Sequence, residues 1–314
     1  MGIATDYEQL RPHRTMLRDT TRTFAFADAL SRVITDDSVV LDMGTGSGIL
    51  AMLAGRLGAR KVYAVERTQM AALASRLVAD NDLQDTVTVL HADAMTVQVP
   101  ESVDIIVSEW LGGIGVDENL LPALLSVRDR YLRPGGLMLP GSVTSWVAPA
   151  FDRLVADELT YFDSRPYGLD LSRISTLTAH ELGYGRHDLT GEHLLCAPEA
   201  LWTVDVATVP AAAGRAFSAR RKFYFPQEQT LNCLIMWFSA ALADGVELSC
   251  APDSSTCWGR TVAPFRHPVR VPPGVPLRIE LDVEPAGPGW VFTRWRYALG
   301  DSVLGEGDNR QALL

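Results

Sequence analysis

The feature of the sequence that most constrains its fold is a glycine-rich loop between a strand pattern and a helix pattern. Residues 38–42 form a short apolar run, and the loop from Asp42 to Gly48 leads into the helical periodicity of residues 48–57. Glycine permits backbone angles closed to other residues and lets a ligand approach the main chain closely. In an open α/β sheet, ligands bind beyond the carboxyl ends of strands, where this loop lies. The glycines concerned are Gly44, Gly46 and Gly48.

Strand and helix patterns alternate on both sides of this loop. This alternation is typical of a parallel sheet covered by helices on both faces, as in Rossmann-like cofactor-binding domains. After Pro140 the pattern changes to short apolar runs separated by turn residues, which predicts antiparallel strands. The predicted strands of the first half are 38–42, 61–66, 86–91, 103–108 and 137–139, and the predicted helices are 24–34, 48–57, 68–80 and 118–132.

We therefore predict an α/β protein with three parts. Residues 1–35 form an N-terminal helical lid, and residues 36–141 form the Rossmann-like domain. Residues 142–314 form an antiparallel β-barrel-like domain, into which a helical arm is inserted at about 155–190.

The residues around the loop indicate which ligand it binds. The loop reads G-x-G-x-G after Asp42, whereas a dinucleotide loop reads G-x-G-x-x-G, so we expect a ligand without a pyrophosphate. Asp42 and backbone carbonyls can meet an ammonium group. Glu66 ends the next strand and can accept both hydroxyls of a ribose, and Asp93 follows the third strand within reach of an adenine. Together they indicate an adenosine-bearing ligand; the alternative is a tight turn with two solvated acids.

Two glutamates frame a second glycine-rich segment, SEWLGGIGVDE. Glu109 and Glu118 are nine residues apart, and the glycines between them let the chain fold back on itself. Two carboxylates in one pocket repel unless a cation lies between them, and a planar guanidinium matches their geometry. Such a pair would also orient one guanidinium nitrogen for reaction. Taken alone, Glu109 is equally compatible with a solvated loop acid, and Glu118 with an acid at a helix N-terminus.

The composition of the sequence limits the classes of partner that we expect the protein to bind. The net charge of -10 argues against a nucleic-acid backbone and suits a cationic substrate, although acidity also serves solubility. The four cysteines form no C-x-x-C pair, so neither a metal site nor a disulfide framework is expected. The sequence contains no apolar run typical of a signal peptide or a membrane span. We expect a cytoplasmic protein that binds neither nucleic acid nor membrane.

Three motifs resemble those of the protein arginine methyltransferase family, and the match covers most of the chain. Residues 108–118 resemble its double-glutamate loop, and His13-x-x-Met16-Leu17-x-Asp19-x-x-Arg22 resembles its N-terminal helix motif. Residues 131–140 resemble the strand that leads into its β-barrel. The resemblance implies S-adenosyl-L-methionine as cofactor, S-adenosyl-L-homocysteine as product, and a homodimer in which the arm docks on the partner's cofactor domain.

The resemblance also implies roles for individual side chains. Glu109 and Glu118 would hold the guanidinium, with Met16 beside the reacting nitrogen and Asp19 in a proton relay. Arg22 would pair with the carboxylate of the cofactor. The implied cofactor-binding set is His13, Arg22, Asp42, Gly44, Gly46, Gly48, Glu66 and Asp93. The implied substrate-binding set is Tyr7, Glu109, Asp117, Glu118, Cys257 and Trp258.

The sequence departs from the family pattern mainly around the acceptor. Thr256-Cys257-Trp258 stands where the family has Thr-His-Trp, which removes the histidine that would pair with Asp19. Other departures are Gly113 and Asp117 at positions where aromatics are common, Met95 in place of a glutamate, and Ile3 in place of a tyrosine.

A more polar pocket favours a small zwitterionic acceptor whose ammonium Asp117 would bind. We therefore expect methylation of free L-arginine to Nω-methyl-L-arginine, in resemblance to compact bacterial enzymes of natural-product pathways such as that of streptozotocin. The alternative is methylation of arginine in proteins. A third hypothesis is a cofactor-binding scaffold that dimerises without catalysis.

Overall fold

The computed structural model describes residues 7–212, 214–287 and 289–313, so the predicted departure at Ile3 lies outside the described residues. The strands of the first half are β1 (Val39–Met43), β2 (Lys61–Glu66), β3 (Val87–His91), β4 (Val103–Val107) and β5 (Leu132–Leu139). The helices are α1 (Leu10–Arg18), α2 (Thr20–Val33), α3 (Ile49–Arg56), α4 (Met70–Asp80) and α5 (Leu121–Tyr131). No helix within the described ranges is long and apolar enough to cross a membrane.

The first half is a five-stranded sheet with the order β3-β2-β1-β4-β5. Every ladder in it is parallel, which confirms the prediction from the alternation. All five residues of β1 are buried, as is typical of a parallel strand covered on both faces. Because parallel strands end at the same edge, the glycine loop after β1, Glu66 at the end of β2 and Glu109 just after β4 lie along one edge of the sheet.

Two elements differ from their predicted bounds for local reasons. Helix α2 begins at Thr20 because Asp19 caps it, its carboxylate accepting the N–H of Arg22 at 2.9 Å. The last strand of the first half, predicted over 137–139, begins earlier, because residues 133–136 also lie within β5. They form an irregularity there, because the pairing with β4 shifts register between Val103 and Ile105.

The second half is antiparallel throughout, as predicted. Its strands are β6 (Ser142–Ala150), β7 (Gly183–Arg186), β8 (Glu199–Asp205), β9 (Phe217–Phe223), β10 (Gln229–Ala243), β11 (Val246–Ser249), β12 (Arg260–Val271), β13 (Leu277–Gly287), β14 (Trp290–Leu299) and β15 (Ser302–Asp308). They form a sheet of order β7-β12-β10-β6-β8, with β11 beside β10, and a second sheet of order β15-β14-β13-β9. The two sheets share one core, in which the rings of Phe265 and Tyr297 stack 3.8 Å apart.

A helical insertion lies between β6 and β8 and contains α6 (Arg153–Tyr161) and α7 (Ser172–Thr178), in the region predicted as the arm. Asp152, buried at the start of the insertion, caps α6 at the N–H of Leu154 and pairs with Arg186 at 2.7 Å. The side chain of Asn232 in β10 makes two hydrogen bonds to the main chain of Asp152. A buried carboxylate is stable only with such partners, and together they fix the point at which the insertion leaves the sheet.

Candidate active site

The glycine loop adopts the conformation for which its glycines are needed. Gly44, Gly46 and Gly48 have φ angles of +73°, +55° and +86°, in the left-handed region that other residues rarely adopt. Asp42 is almost fully buried, and its Oδ2 accepts hydrogen bonds from Thr45 Oγ1 at 2.5 Å and from the N–H of Ala51 at 3.0 Å. Burial raises the pKa of Asp42 to about 7, against the lowering effect of these bonds. Asp42 therefore stabilises the loop, and its contact with a ligand ammonium stays a prediction.

Glu66 and His13 close around the middle of this loop. Glu66 accepts the N–H of Gly46 at 2.9 Å and that of Thr68 at 2.8 Å through its two oxygens. A Cβ at position 46 would lie 2.8 Å from Cε1 of His13, so the imidazole rests directly on this glycine. The His13 ring in turn makes a 2.9 Å hydrogen bond with the carbonyl oxygen of Tyr7. Helix α1 thus covers the loop and brings Tyr7 to the site.

A first cavity of about 660 Å³ opens beside the loop. The loop, Glu66, the exposed Asp93 and the end of the double-glutamate segment all line it. Arg22 lines it as well and is 5% exposed. Its Nη2 donates to Glu109 at 2.9 Å, while Nε and Nη1 are buried without a partner among the described residues. Because unpaired buried donors are costly, this arrangement suits an anionic ligand group beside Arg22.

Residues 109–118, the double-glutamate hairpin, fold back on themselves, as their glycine content predicted. Gly112 and Gly115 pair as an antiparallel bridge, with the N–H of Gly115 donating to the carbonyl of Gly112 at 3.0 Å. Gly115 has a φ of +91°, which completes the turn. Glu109 contacts Arg22, and Oε1 of Glu118 accepts the hydroxyl of Tyr7 at 2.6 Å.

A second, smaller cavity of about 350 Å³ lies on the other side of the two glutamates. It is lined by residues of α1, by Gly112 and Gly113 of the hairpin, and by Cys257 and Trp258. Four residues line both cavities and therefore stand at their boundary, namely Tyr7, Met16, Glu109 and Glu118. A group bound in one cavity meets a group bound in the other at these four side chains.

The boundary carries an excess of negative charge. Burial, and next the negative charge of Glu109, hold the pKa of Glu118 well above its usual range, while the hydrogen bond from Tyr7 acts in the opposite direction. Burial and the charge of Glu118 likewise raise the pKa of the Tyr7 hydroxyl. A cation placed between Glu109 and Glu118 would relieve this repulsion.

Asp117 does not take its predicted position in the pocket. It is buried, and its two oxygens accept the N–H groups of Gly113 at 3.1 Å and of Ile114 at 3.0 Å. Among the residues that line the two cavities Asp117 is absent. The binding of an acceptor ammonium by Asp117 stays a prediction: in this structure its carboxylate points into its own hairpin, where two backbone donors lie.

With cysteine instead of histidine at position 257, Asp19 lacks an imidazole partner but keeps a hydrogen bond to the main chain of that residue. The main-chain N–H of Cys257 donates to Oδ2 of Asp19 at 2.5 Å, while Oδ1 caps α2. Burial raises the pKa of the Cys257 thiol, which therefore stays neutral. Asp19 lines neither cavity, and its predicted catalytic role stays a prediction. Trp258 lines the second cavity and donates from Nε1 to the carbonyl of Leu111 at 2.8 Å.

Sequence reasoning missed two kinds of residue at the site. Arg11 and Thr15 of α1 line the second cavity, and their four-residue spacing next to Met16 was the available signal, since such residues share a helix face. Asn119 lines the first cavity and contacts Gly287 at the end of β13, which no local pattern indicates.

Comparisons with known proteins agree with this geometry. Residues 19–137 match the family described as "Ribosomal protein L11 methyltransferase", and residues 142–288 match "Arginine methyltransferase oligomerization subdomain". The chain is 30% identical over 311 residues to protein arginine N-methyltransferase 6 of Xenopus tropicalis, covering 95% of this chain and 91% of that protein. It is 30% identical over 300 residues to probable protein arginine N-methyltransferase 6.1 of Oryza sativa subsp. japonica, covering 84% and 76%.

A solved structure gives the same result for the fold. The "Trypanosoma brucei PRMT1 enzyme-prozyme heterotetrameric complex with AdoHcy" superposes with a TM-score of 0.87 at 26% identity, over 96% of this chain and 98% of that chain. Together, fold and matches define an S-adenosylmethionine-dependent methyltransferase. The chain belongs to the protein arginine methyltransferase family. These relatives are plant, vertebrate and trypanosome proteins, and they do not support the predicted resemblance to bacterial free-arginine enzymes.

The cofactor is S-adenosyl-L-methionine, and the residues of the first cavity fit it. The two unpaired donors of Arg22 match a carboxylate, and the open main chain of the glycine loop permits close approach. Glu66 keeps lone pairs available beyond its two backbone hydrogen bonds, as a ribose would require.

Proposed function

We propose that this enzyme methylates a guanidinium nitrogen of arginine residues in proteins. The observation that carries the proposal is the boundary between the cavities, where Glu109 and Glu118 face both the cofactor side and the acceptor side. The names of the relatives support protein arginine as the acceptor.

On the cofactor side, each residue would hold one part of the molecule. Arg22 would bind the carboxylate, Glu66 the ribose hydroxyls and Asp93 the adenine, with the glycine loop beneath them. When bound, the cofactor supplies an electrophilic methyl group. His13 would keep α1 closed over the loop and exclude water.

On the acceptor side, Glu109 and Glu118 would hold the guanidinium and turn one nitrogen toward the first cavity. Met16 would contact that nitrogen from α1. As the nitrogen gains a methyl group it must lose one proton, and Glu118 suits that role because its pKa is raised toward the working range of a general base. The negative charges of the two carboxylates would stabilise the guanidinium cation throughout the reaction. This is catalysis by orientation and electrostatics.

The test is a methyl-transfer assay with an Arg-Gly-rich peptide and free L-arginine run in parallel, read by the mass of the product. We expect methylated peptide. A protein that binds the cofactor and modifies neither acceptor would instead favour the non-catalytic scaffold.

One observation favours free L-arginine as a second candidate. Arg11 lines the second cavity, is exposed, and forms no ion pair within the described residues. It can therefore pair with the α-carboxylate of a free amino acid. If free arginine is a substrate, Arg11→Ala should lower kcat/KM for it by about 10-fold, the value of one charge-assisted hydrogen bond, and leave a neutral peptide unaffected. An equal loss on both acceptors would remove this candidate.

The raised pKa of Glu118 predicts a pH dependence. A protonated Glu118 carries no charge for the guanidinium and cannot accept its proton. The pKa of Glu118 in the free enzyme lies well above the ordinary 4.5. Therefore kcat/KM should rise as the pH rises through this raised pKa and the carboxylate ionises, and it should fall below this pKa, at pH values still above 4.5. The check is a pH profile of kcat/KM at low acceptor concentration; a profile without any ionisation above pH 4.5 would contradict the assignment.

We also propose a homodimer in which the arm docks on the partner's cofactor domain. The arm exposes large apolar side chains, of which Tyr167 is 86% and Leu169 59% exposed. On α2, which packs against α3 of the cofactor domain, Phe24 is 70% exposed. Large apolar side chains exposed together in one segment, as in the arm, are typical of an interaction surface.

Leu169→Glu should shift the enzyme toward monomer, because it places a charge in an apolar interface. Light scattering coupled to size-exclusion chromatography measures the result. Ser172→Glu, an exposed polar position nearby, is the control and should keep the native mass. An unchanged mass for Leu169→Glu would place the interface elsewhere.

A further inference from the structure

Both chain neighbours of Glu118 are anchored by their own side chains, one on each side. Asp117, before it, accepts two backbone N–H groups of the hairpin tip. A Cβ on Gly112 would overlap the Asp117 carboxylate, so the hairpin leaves room for this group. Asp117, for which the sequence predicted a contact with the acceptor, thus fixes the strand of the hairpin that ends at Glu118.

Asn119, after Glu118, is anchored in the other half of the molecule. Its φ of +52° lies in the left-handed region, which asparagine tolerates better than most residues. Its Nδ2 donates to the carbonyl of Gly287, at the end of β13, at 2.8 Å. The segment that carries Glu118 is thus connected directly to the antiparallel sheets.

Within the described residues, the Glu118 carboxylate accepts a single hydrogen bond, from the hydroxyl of Tyr7 in the N-terminal helical region. Its position therefore depends on the backbone on either side. A displacement of about 1 Å in a group that orients a substrate can cost about a hundredfold in rate. Neither Asp117 nor Asn119 lines the second cavity, so neither side chain contacts the acceptor there itself.

We propose that Asp117 and Asn119 are positioning residues that hold Glu118 in place for the acceptor guanidinium. Asp117 fixes the backbone before Glu118 to the hairpin tip, and Asn119 links the backbone after it to Gly287 at the end of β13. This inference rests on the proposed function, since it assigns the neighbours of the glutamate that function uses.

The link through Asn119 is tested by two substitutions that separate backbone from side chain. Asn119→Gly keeps the left-handed conformation and removes the hydrogen bond to Gly287, whereas Asn119→Ala removes both. We expect Asn119→Gly to lower kcat/KM for the acceptor about tenfold, with Tm close to wild type. Asp82 supplies the matched control, because it is exposed and has a φ of +58° in a turn remote from the site. Asp82→Gly should leave kcat/KM unchanged.

Asp117→Asn tests the other anchor, because an amide oxygen replaces only one of the two acceptors that the carboxylate provides. We expect a similar loss in kcat/KM. The pH at which kcat/KM rises should also move to lower values, because the negative charge of Asp117 helps to raise the pKa of Glu118. A purely structural role would lower Tm together with kcat/KM, whereas a positioning role lowers kcat/KM while Tm stays close to wild type.

The outcomes separate the inference from the function beneath it. Wild-type kinetics and an unmoved pH profile in Asn119→Gly and Asp117→Asn would overturn the inference while the function stands. If the wild-type enzyme methylates no arginine, the proposed function fails. Calorimetric binding of an arginine peptide to the protein loaded with S-adenosylhomocysteine then decides the positioning roles: weaker binding by both variants supports them, and unchanged binding excludes them.

Discussion

Replacing Glu109 or Glu118 by Gln is expected to lower kcat/KM by about a hundredfold or more, without loss of the fold. Each carboxylate supplies a negative charge where the guanidinium cation is bound and reacts, and a neutral amide of the same shape does not. Removing one such preorganised group from an active site typically costs about 10²–10³ in rate. Labelled methyl transfer to an arginine peptide at saturating cofactor measures the effect.

The stability of Glu118→Gln provides the internal check. Because the pKa of Glu118 is raised in the folded protein, its contribution to the free energy of unfolding is present below about 4.5 and is lost as the pH rises through the folded pKa. At neutral pH the neutral Gln should therefore raise Tm or leave it unchanged while activity falls. Glu192→Gln, at an exposed position, is the matched control and should change neither quantity. An active Glu118→Gln enzyme would remove this glutamate from the proposed mechanism.

The sequence predicts the half of the site that depends on local pattern. The loop can be predicted from the spacing of Gly44, Gly46 and Gly48, because most other residues avoid left-handed backbone conformations. The position of Glu66 follows because it ends the next parallel strand, at the same edge of the sheet. Glu109 and Glu118 reach the same boundary because the glycines between them allow a tight reversal that side chains at Gly112 and Gly115 would block. Each of these features is determined by residues close together in the chain.

The remainder depends on contacts between distant segments, which no local pattern contains. The orientation of Asp117 is decided by which donors lie nearest once the hairpin has folded, and they belong to its own tip. Asn119 acquires its role from Gly287, which is 168 residues away. Asp19 likewise meets Cys257 only when the antiparallel domain packs on α2. The sequence therefore could not predict the hydrogen-bond partners of polar side chains that had several donors or acceptors within reach.

Arg22→Met is expected to weaken cofactor binding by at least about 30-fold. In the structure Arg22 is almost fully buried, pairs with Glu109, and keeps two donors without a partner among the described residues. We assign those donors to the cofactor carboxylate, and losing one partner of a buried charged pair costs about 2–5 kcal/mol. Isothermal calorimetry with S-adenosylhomocysteine measures the change in Kd.

The same substitution leaves Glu109 buried without its cation, so Arg22→Met should also lower the free energy of unfolding, by about 3–5 kcal/mol if the carboxylate stays charged. The double variant Arg22→Met, Glu109→Gln separates the two effects, because it removes the unpaired charge but does not restore a donor for the cofactor. We expect it to recover stability and not affinity. Arg32→Met is the control on the same helix, since its ion pair with Asp28 is exposed and should contribute little to either measurement. Recovery of cofactor affinity in the double variant would show that Arg22 acts only by holding Glu109, and the anionic end of the ligand would then lie elsewhere in the first cavity.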